Sequence, residues 1–226
     1  MTSREPRPGK SERRTDALSK ERIVEAAIEI LDAEGESGLT FRALAARLST
    51  GSGAIYHHVA NKNDLLTAAT DEIVERVLSG VARDGQPREV IRVVALGMFD
   101  AIDVHPWVGT HLTSEPRQLA LPQVLEGLGG PLRALGVPDH AQFDCASALL
   151  NYVLGVGGQN AAHARVHAGV GDRATFLASI VARWTQLDPE RYPFVHKMAT
   201  RLREHDDREQ FLAGIDLILA GAERSS

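Results

Sequence analysis

The sequence predicts an all-α protein, with a small N-terminal helical part and a larger helical part behind it. Three observations lead there. Aromatic residues make up only 5% of the chain, and alanine and leucine carry much of its 43% apolar content, a balance that favours helix over strand. Apolar residues recur at spacings of three and four along most of the chain. No run of alternating β-branched residues bounded by turns stands out, and there is no internal repeat.

The elements follow in order. Residues 1–18, rich in Pro, Arg, Ser and Glu without apolar period, read as a flexible basic arm. Ser19 then precedes the stripe Ile23, Ala26, Ala27, Ile30, Leu31, an amphipathic helix that Gly35 and Gly38 end. Thr40 is the N-cap of a short helix with Phe41, Leu44, Ala45 and Leu48 inward, broken by Ser49-Thr50-Gly51. A third short helix, about 52–58, turns Ile55 inward, with Val59 just beyond. Asn61, with Asp64 three residues on, starts a longer helix to about 82.

Beyond Pro87 the same pattern continues. Helices are expected over 88–104, from Pro106 to about 112, and over 117–135. In the last of these, Gly127, Gly129, Gly130 and Pro131 are expected to bend the helix or end it early, and Gly136 to cap it. Residues 139–168 form the longest periodic stretch. Asp172 caps a helix to about 187, a short one covers 192–204, and Asp206 or Asp207 caps the last, to about 222.

Composition excludes several classes. The 226 residues suffice for one or two domains with a core that needs no covalent staples. The single cysteine, Cys145, excludes an internal disulfide framework and a multi-cysteine zinc site. No stretch reaches about 18 consecutive apolar residues, so no membrane span is expected. Met1-Thr2-Ser3-Arg4-Glu5-Pro6 lacks the apolar run of a signal peptide, which points to the cytoplasm. No Gly-x-Ser-x-Gly, P-loop or Rossmann fingerprint occurs, so an enzyme is not expected.

The net charge of −5 argues against nucleic acid until it is divided along the chain. Residues 1–62 hold 10 Lys/Arg and 9 Asp/Glu, whereas residues 63–226 hold 15 and 21. The acidity thus belongs to the larger part, and the N-terminal part is close to neutral.

Residues 40–59, TFRALAARLSTGSGAIYHHV, have the short helix, tight turn and short helix of a helix-turn-helix, whose second helix enters the major groove of DNA. With Phe41, Leu44, Ala45, Leu48 and Ile55 inward, Ser52, Ala54, Tyr56 and His57 are left outward, short or polar enough to reach base edges and phosphates.

At this point the segment 19–67 resembles the N-terminal domain of the TetR family of bacterial transcriptional regulators. The matching pieces are the Gly35 turn, Thr40, the Leu44–Leu48 core LAARL, the run Gly53-Ala54-Ile55-Tyr56-His57-His58, and Asn61-Lys62 followed by Leu65. Two residues depart from the family pattern: Gly51 stands where Ser or Thr is usual, and Ser52 where Lys or Arg is common. The resemblance implies a DNA-binding domain at 19–84, including a connecting helix, and a ligand-binding and dimerisation domain at 85–226.

The resemblance also implies roles. Thr40 and Arg42 would touch phosphate, Arg42 also a base nearby, and Lys62 would clamp phosphate. Gly53 would allow close approach, Ala54 would pack on a thymine methyl, and Tyr56, His57 and Ser52 would lie on the DNA face. His58 is read as a packing residue. The partner implied is double-stranded DNA carrying a near-palindromic operator. The homodimer would form through the helices at about 139–168 and 207–222.

The stretch from His105-Pro106-Trp107 to Asn151-Tyr152-Val153-Leu154-Gly155 most resembles the tetracycline-repressor branch. The candidate pocket is Phe99, Trp107, His111, Asn151, Tyr152, Gly155 and Gln159, for a small-molecule effector of unknown identity. His111 stands near the histidine that binds the drug's magnesium in that repressor, though its spacing from His105 is one residue off. His163 and His167 share a helix face, but without a His-Glu-x-x-His pattern or a supporting cysteine no metal or other cofactor is assigned. Gly155, Gly157 and Gly158, costly inside a helix, call for a closely packed neighbour or for ligand space, the former preferred.

The function expected is a ligand-responsive DNA-binding regulator, a repressor released by a small molecule. The alternative is a regulator controlled by a protein partner. A closed second domain would favour the partner and a cavity with polar groups the small molecule; an all-helical enzyme stands further back.

Overall fold

The structure, a computed structural model, describes residues 18–82, 84–115, 118–167, 173–202 and 205–224. The expected arm up to residue 17, the Asp172 cap and the side chain of His167 lie outside the described residues. Among the described residues there are only α-helices and no strand: α1 Lys20–Gly38, α2 Phe41–Arg47, α3 Ser52–Tyr56, α4 Lys62–Ser79, α5 Pro87–Val104, α6 Pro106–Ser114, α7 Ala120–Ala134, α8 Asp139–His167, α9 Arg173–Thr185, α10 Pro193–Leu202 and α11 Asp207–Arg224. They divide into two compact units, residues 1–69 and 70–226, a division that falls within α4. No described helix is long and apolar enough to cross a membrane.

Helix starts are set by short polar side chains that accept the first free backbone N–H groups. Ser19 Oγ accepts from the Arg22 N–H at 3.3 Å and Thr40 Oγ1 from the Ala43 N–H at 3.0 Å. At α4 the capping is reciprocal: Asn61 Oδ1 accepts the Asp64 N–H at 2.9 Å, and Asn61 Nδ2 donates to Asp64 Oδ2 at 3.0 Å. Asp206, rather than Asp207, caps α11, accepting the Glu209 N–H at 2.8 Å.

In the first unit the buried stripe of α1 (Ile23, Ala26, Ala27, Ile30, Leu31) meets Leu44 and Ala45 of α2, with Ile55, Val59, Leu65 and Leu66 completing the core. Gly35, at φ 69° and ψ −172°, interrupts α1 in a conformation that suits glycine.

In the second unit α5, α7 and α8 pack on one another, α6 and α11 lie against both α5 and α8, and α9 pairs with α10. Here two expectations change. α7 does not stop at its glycines but runs to Ala134 with Pro131 inside it. A Cβ at Gly127 would stand 3.2 Å from Leu78 and 3.3 Å from Val94, and one at Gly129 would stand 3.3 Å from Ala146. These glycines are therefore contact points where α7 is drawn against its neighbours. The fully buried Leu128 and Leu132 carry the helix through the N–H that proline lacks. In α8 only Gly157 has a close neighbour, with Ile102 of α5 3.2 Å from where its Cβ would be; Gly155 and Gly158 would meet nothing within 4 Å.

A charged seam ties α5 to α11. Arg88 donates to Glu223 at 2.8 Å, Arg88 and Arg92 both reach Asp216, and Arg208 pairs with Asp100 at 3.0 Å.

Candidate nucleic-acid interface and ligand cavity

The turn between α2 and α3 follows from its backbone hydrogen bonds. Thr50 N–H donates to Ala45 O at 3.0 Å and Ser49 N–H to Ala46 O at 3.3 Å, which forces Ser49 into the left-handed region at φ 49°. Gly51 starts α3 with no side-chain cap, and α3 is only five residues long. Ile55 is fully buried and anchors α3, so Ser52, Gly53, Tyr56 and His57 face out with Ala54 half-buried. Arg42 is exposed on α2. A Cβ on Gly53 would meet no protein atom within 4 Å, so the backbone there is open.

Two candidate residues have neighbours that local patterns did not announce. Tyr56 is 55% exposed, yet its ring lies flat on Phe41 at 4.1 Å and 5°, which also places Phe41 at the surface edge instead of in the core. The stack orders the Tyr56 ring while more than half of the residue stays exposed. Lys62 Nζ donates to the backbone carbonyl of Glu36 at 2.6 Å and stands 3.7 Å from the Glu36 carboxylate. Thr40, for its part, spends its hydroxyl oxygen on the α2 cap. His58, expected to pack, is exposed, because Ile55 and Val59 take the inward positions. Arg47 of α2 pairs with Glu29 of α1 at the surface of the two helices.

The second unit holds a half-open cavity of about 260 Å³ bounded by α5, α8, α9, α10 and the start of α11. Phe99 and Gln159 of the expected pocket line it. Trp107 and His111 are buried in α6, at 5% and 7% exposure, with Gln118 donating to the His111 carbonyl at 3.1 Å. Asn151 and Gly155 are exposed on α8. Tyr152 stacks on Phe211 at 5.5 Å, and burial raises its hydroxyl above the usual tyrosine range. Phe211 in turn stacks on Phe99 at 4.6 Å, so an aromatic column runs from the cavity wall to the α8–α11 contact.

Sequence reasoning missed the wall supplied by α9. Phe176, Ile180 and Trp184, spaced by four, put one helix face on the cavity, while Leu177, which also touches it, and Val181 are buried. That spacing was the available signal, and it reads equally well as a core stripe. The polar wall holds His163, His205, Gln159, Gln210 and Asp207. Asp207 is met by Arg173 at 2.8 Å and His205 at 2.9 Å, and Asn160 is held by Asp103 at 2.7 Å. Among the described residues no group of three or more His, Cys, Asp or Glu side chains is close enough to hold a metal ion.

Residues 23–69 match the family model described as bacterial regulatory proteins, tetR family. A solved structure from Streptomyces coelicolor, the transcriptional regulator SCO7222, described as a TetR, is 47% identical; the match covers 92% of this chain and 99% of that one, with a TM-score of 0.85. The HTH-type transcriptional repressor DrrR1 of Streptomyces coeruleorubidus is 28% identical over 98% of this chain and 80% of its own length. An HTH-type transcriptional regulator of Saccharopolyspora erythraea is 32% identical over 66% of this chain, which spans 64% of that relative.

Proposed function

Because the chain belongs to the TetR family and is a DNA-binding transcriptional regulator, we propose that it acts as a homodimeric repressor released from its operator by a small molecule held in the second unit. The observation that carries this reading is the surface of the α2–turn–α3 segment, where a fully buried Ile55 holds Ser52, Gly53, Tyr56 and His57 outward beside Arg42. Thr40, Arg42, Ser52, Gly53, Ala54, Tyr56, His57 and Lys62 form the DNA-contacting set. Tyr56 presents a hydroxyl on a ring already ordered by Phe41, so little side-chain freedom is lost on binding.

The homodimer forms through α8 and α11. In support, Phe143 and Leu217 are 76% and 75% exposed on these helices, and Gly155, Gly158 and Gly221 would each accept a Cβ without meeting another atom within 4 Å. A second copy would cover these apolar positions and bring two α3 helices to successive major grooves about 34–36 Å apart. The cavity supports a small-molecule signal over a protein partner, since it combines aromatic walls with convergent polar groups. An effector that binds better to the conformation unable to span both grooves lowers operator affinity by the ratio of its affinities for the two states.

The test is binding of purified protein to fluorescently labelled DNA from upstream of its own gene, at several salt concentrations. The expected result is a protected near-palindrome and a salt-sensitive affinity above that for unrelated DNA. No preference for any sequence would defeat the proposal.

A further inference from the structure

We propose that the cavity takes an uncharged planar aromatic molecule, about the size of two or three fused rings, that carries hydroxyl or carbonyl oxygens. This rests on the reading of the cavity as the effector site and names the class of effector. Size sets the first bound. A volume of about 260 Å³ lies just under the range of roughly 300–1,000 Å³ typical of drug-sized ligands.

The walls set the shape. Phe176 and Trp184 come from one face of α9 and Phe99 from α5. Phe99 is itself held in place by its stack on Phe211. Such rings reward a flat π-system over a saturated body of equal volume, because ring quadrupoles add to the burial of apolar area.

Charge sets the third bound. Among the described wall residues the one carboxylate, Asp207, is already balanced by Arg173 and His205. A charged ligand would therefore meet, among the described wall residues, no unbalanced carboxylate and no lysine or arginine, only the imidazoles of His163 and His205, and its desolvation would be poorly offset. The amides of Gln159 and Gln210 each offer both a donor and an acceptor, which suits hydroxyl and carbonyl oxygens on the ring.

Calorimetry on the full chain tests this with four probes of similar size: 2,6-dihydroxynaphthalene, 2-naphthoate, 2-(aminomethyl)naphthalene as its cation, and decahydro-2-naphthol. The neutral diol is expected to bind at least tenfold more tightly than each of the other three. Trp184→Leu should weaken the diol at least tenfold. Gln210→Ala, at an exposed site that leaves the fold intact, should weaken it about threefold. A charged or saturated probe that binds as tightly as the diol, with the same loss in Trp184→Leu, overturns the ligand class while leaving the cavity as the effector site. If no probe binds in a way that responds to Trp184→Leu or Gln210→Ala, the cavity itself is not the effector site.

Discussion

Lys62 Nζ rests on the backbone carbonyl of Glu36, 2.6 Å away, and the same lysine faces the Glu36 carboxylate at 3.7 Å. The C-terminal end of α1 thus holds the ammonium group proposed to clamp DNA phosphate. Its carboxylate competes with phosphate for the lysine, while the carbonyl positions it. Glu36→Gln should therefore tighten DNA binding about two- to threefold, the scale of an exposed ion pair. Lys62→Met should weaken binding evenly across sequences and reduce the salt slope by about one per protomer. Fluorescence anisotropy over a salt series measures both; an unchanged slope in Lys62→Met would remove the lysine from the interface.

Tyr56 has two separable parts. Its ring stacks on Phe41, which contributes about 0.5–1.5 kcal/mol, and its hydroxyl is proposed to contact DNA. Tyr56→Phe should leave the thermal midpoint unchanged and weaken operator binding about three- to tenfold. Tyr56→Ala should lower both. Paired melting and binding measurements separate the effects, and full affinity in Tyr56→Phe would confine Tyr56 to a structural role.

Ser49 holds a φ of 49° in the turn between the two short helices. Left-handed backbone costs a side-chain-bearing residue about 1–2 kcal/mol, and glycine gives back about 0.5–1 kcal/mol through its looser unfolded chain. Ser49→Gly should therefore stabilise the protein by roughly 0.5–1 kcal/mol in urea melts, whereas Ser49→Val should destabilise it.

Two helical glycines should respond in opposite directions. A Cβ at Gly214 would collide with the Tyr152 ring, so Gly214→Ala should cost about 1–3 kcal/mol. Gly155 meets nothing within 4 Å, and Gly155→Ala should add about 0.5–1 kcal/mol to protomer stability. Because Gly155 lies on the proposed subunit face, Gly155→Leu should shift the sedimentation profile towards monomer. An unaltered dimer would place the interface elsewhere.

Asp216 gives stability a pH dependence. The hydrogen bond from Arg92, aided by the charge of Arg88, holds its carboxyl below the ordinary aspartate value of 3.8. A depressed carboxylate contributes fully above its unfolded value and is lost as pH falls through the folded one. As pH falls from about 5 through and below the ordinary aspartate value, the wild type should therefore lose thermal stability more steeply than Asp216→Asn. Asp100 works the other way: burial raises its carboxyl, so protonation on acidification favours the folded state, and Asp100→Asn, which removes that compensation, should make the acid loss somewhat steeper. Equal acid slopes for wild type and Asp216→Asn would deny the seam this role.

Helix starts were legible because their causes are local. Ser19, Thr40 and Asn61 each act on a backbone N–H three residues along, within the span a sequence pattern covers. The helix-turn-helix was legible for the same reason, since Leu44, Ala45 and Ile55 meet within about one turn and its neighbour. These features specify an all-α chain with a nucleic-acid-reading end, and the family resemblance follows from them.

Partnerships between distant segments were decided by tertiary packing. Glu36 lies 26 residues from Lys62, and no spacing rule brings a lysine to that carbonyl. The glycines of α7 looked like breakers until Leu78, Val94 and Ala146 came against them, because a missing side chain weakens an isolated helix and strengthens one that must be approached closely. Phe176, Ile180 and Trp184 carry the same spacing whether they fill a core or line a cavity. Periodicity records which face of a helix is apolar; only the packed neighbours decide whether that face is filled or left open to a ligand.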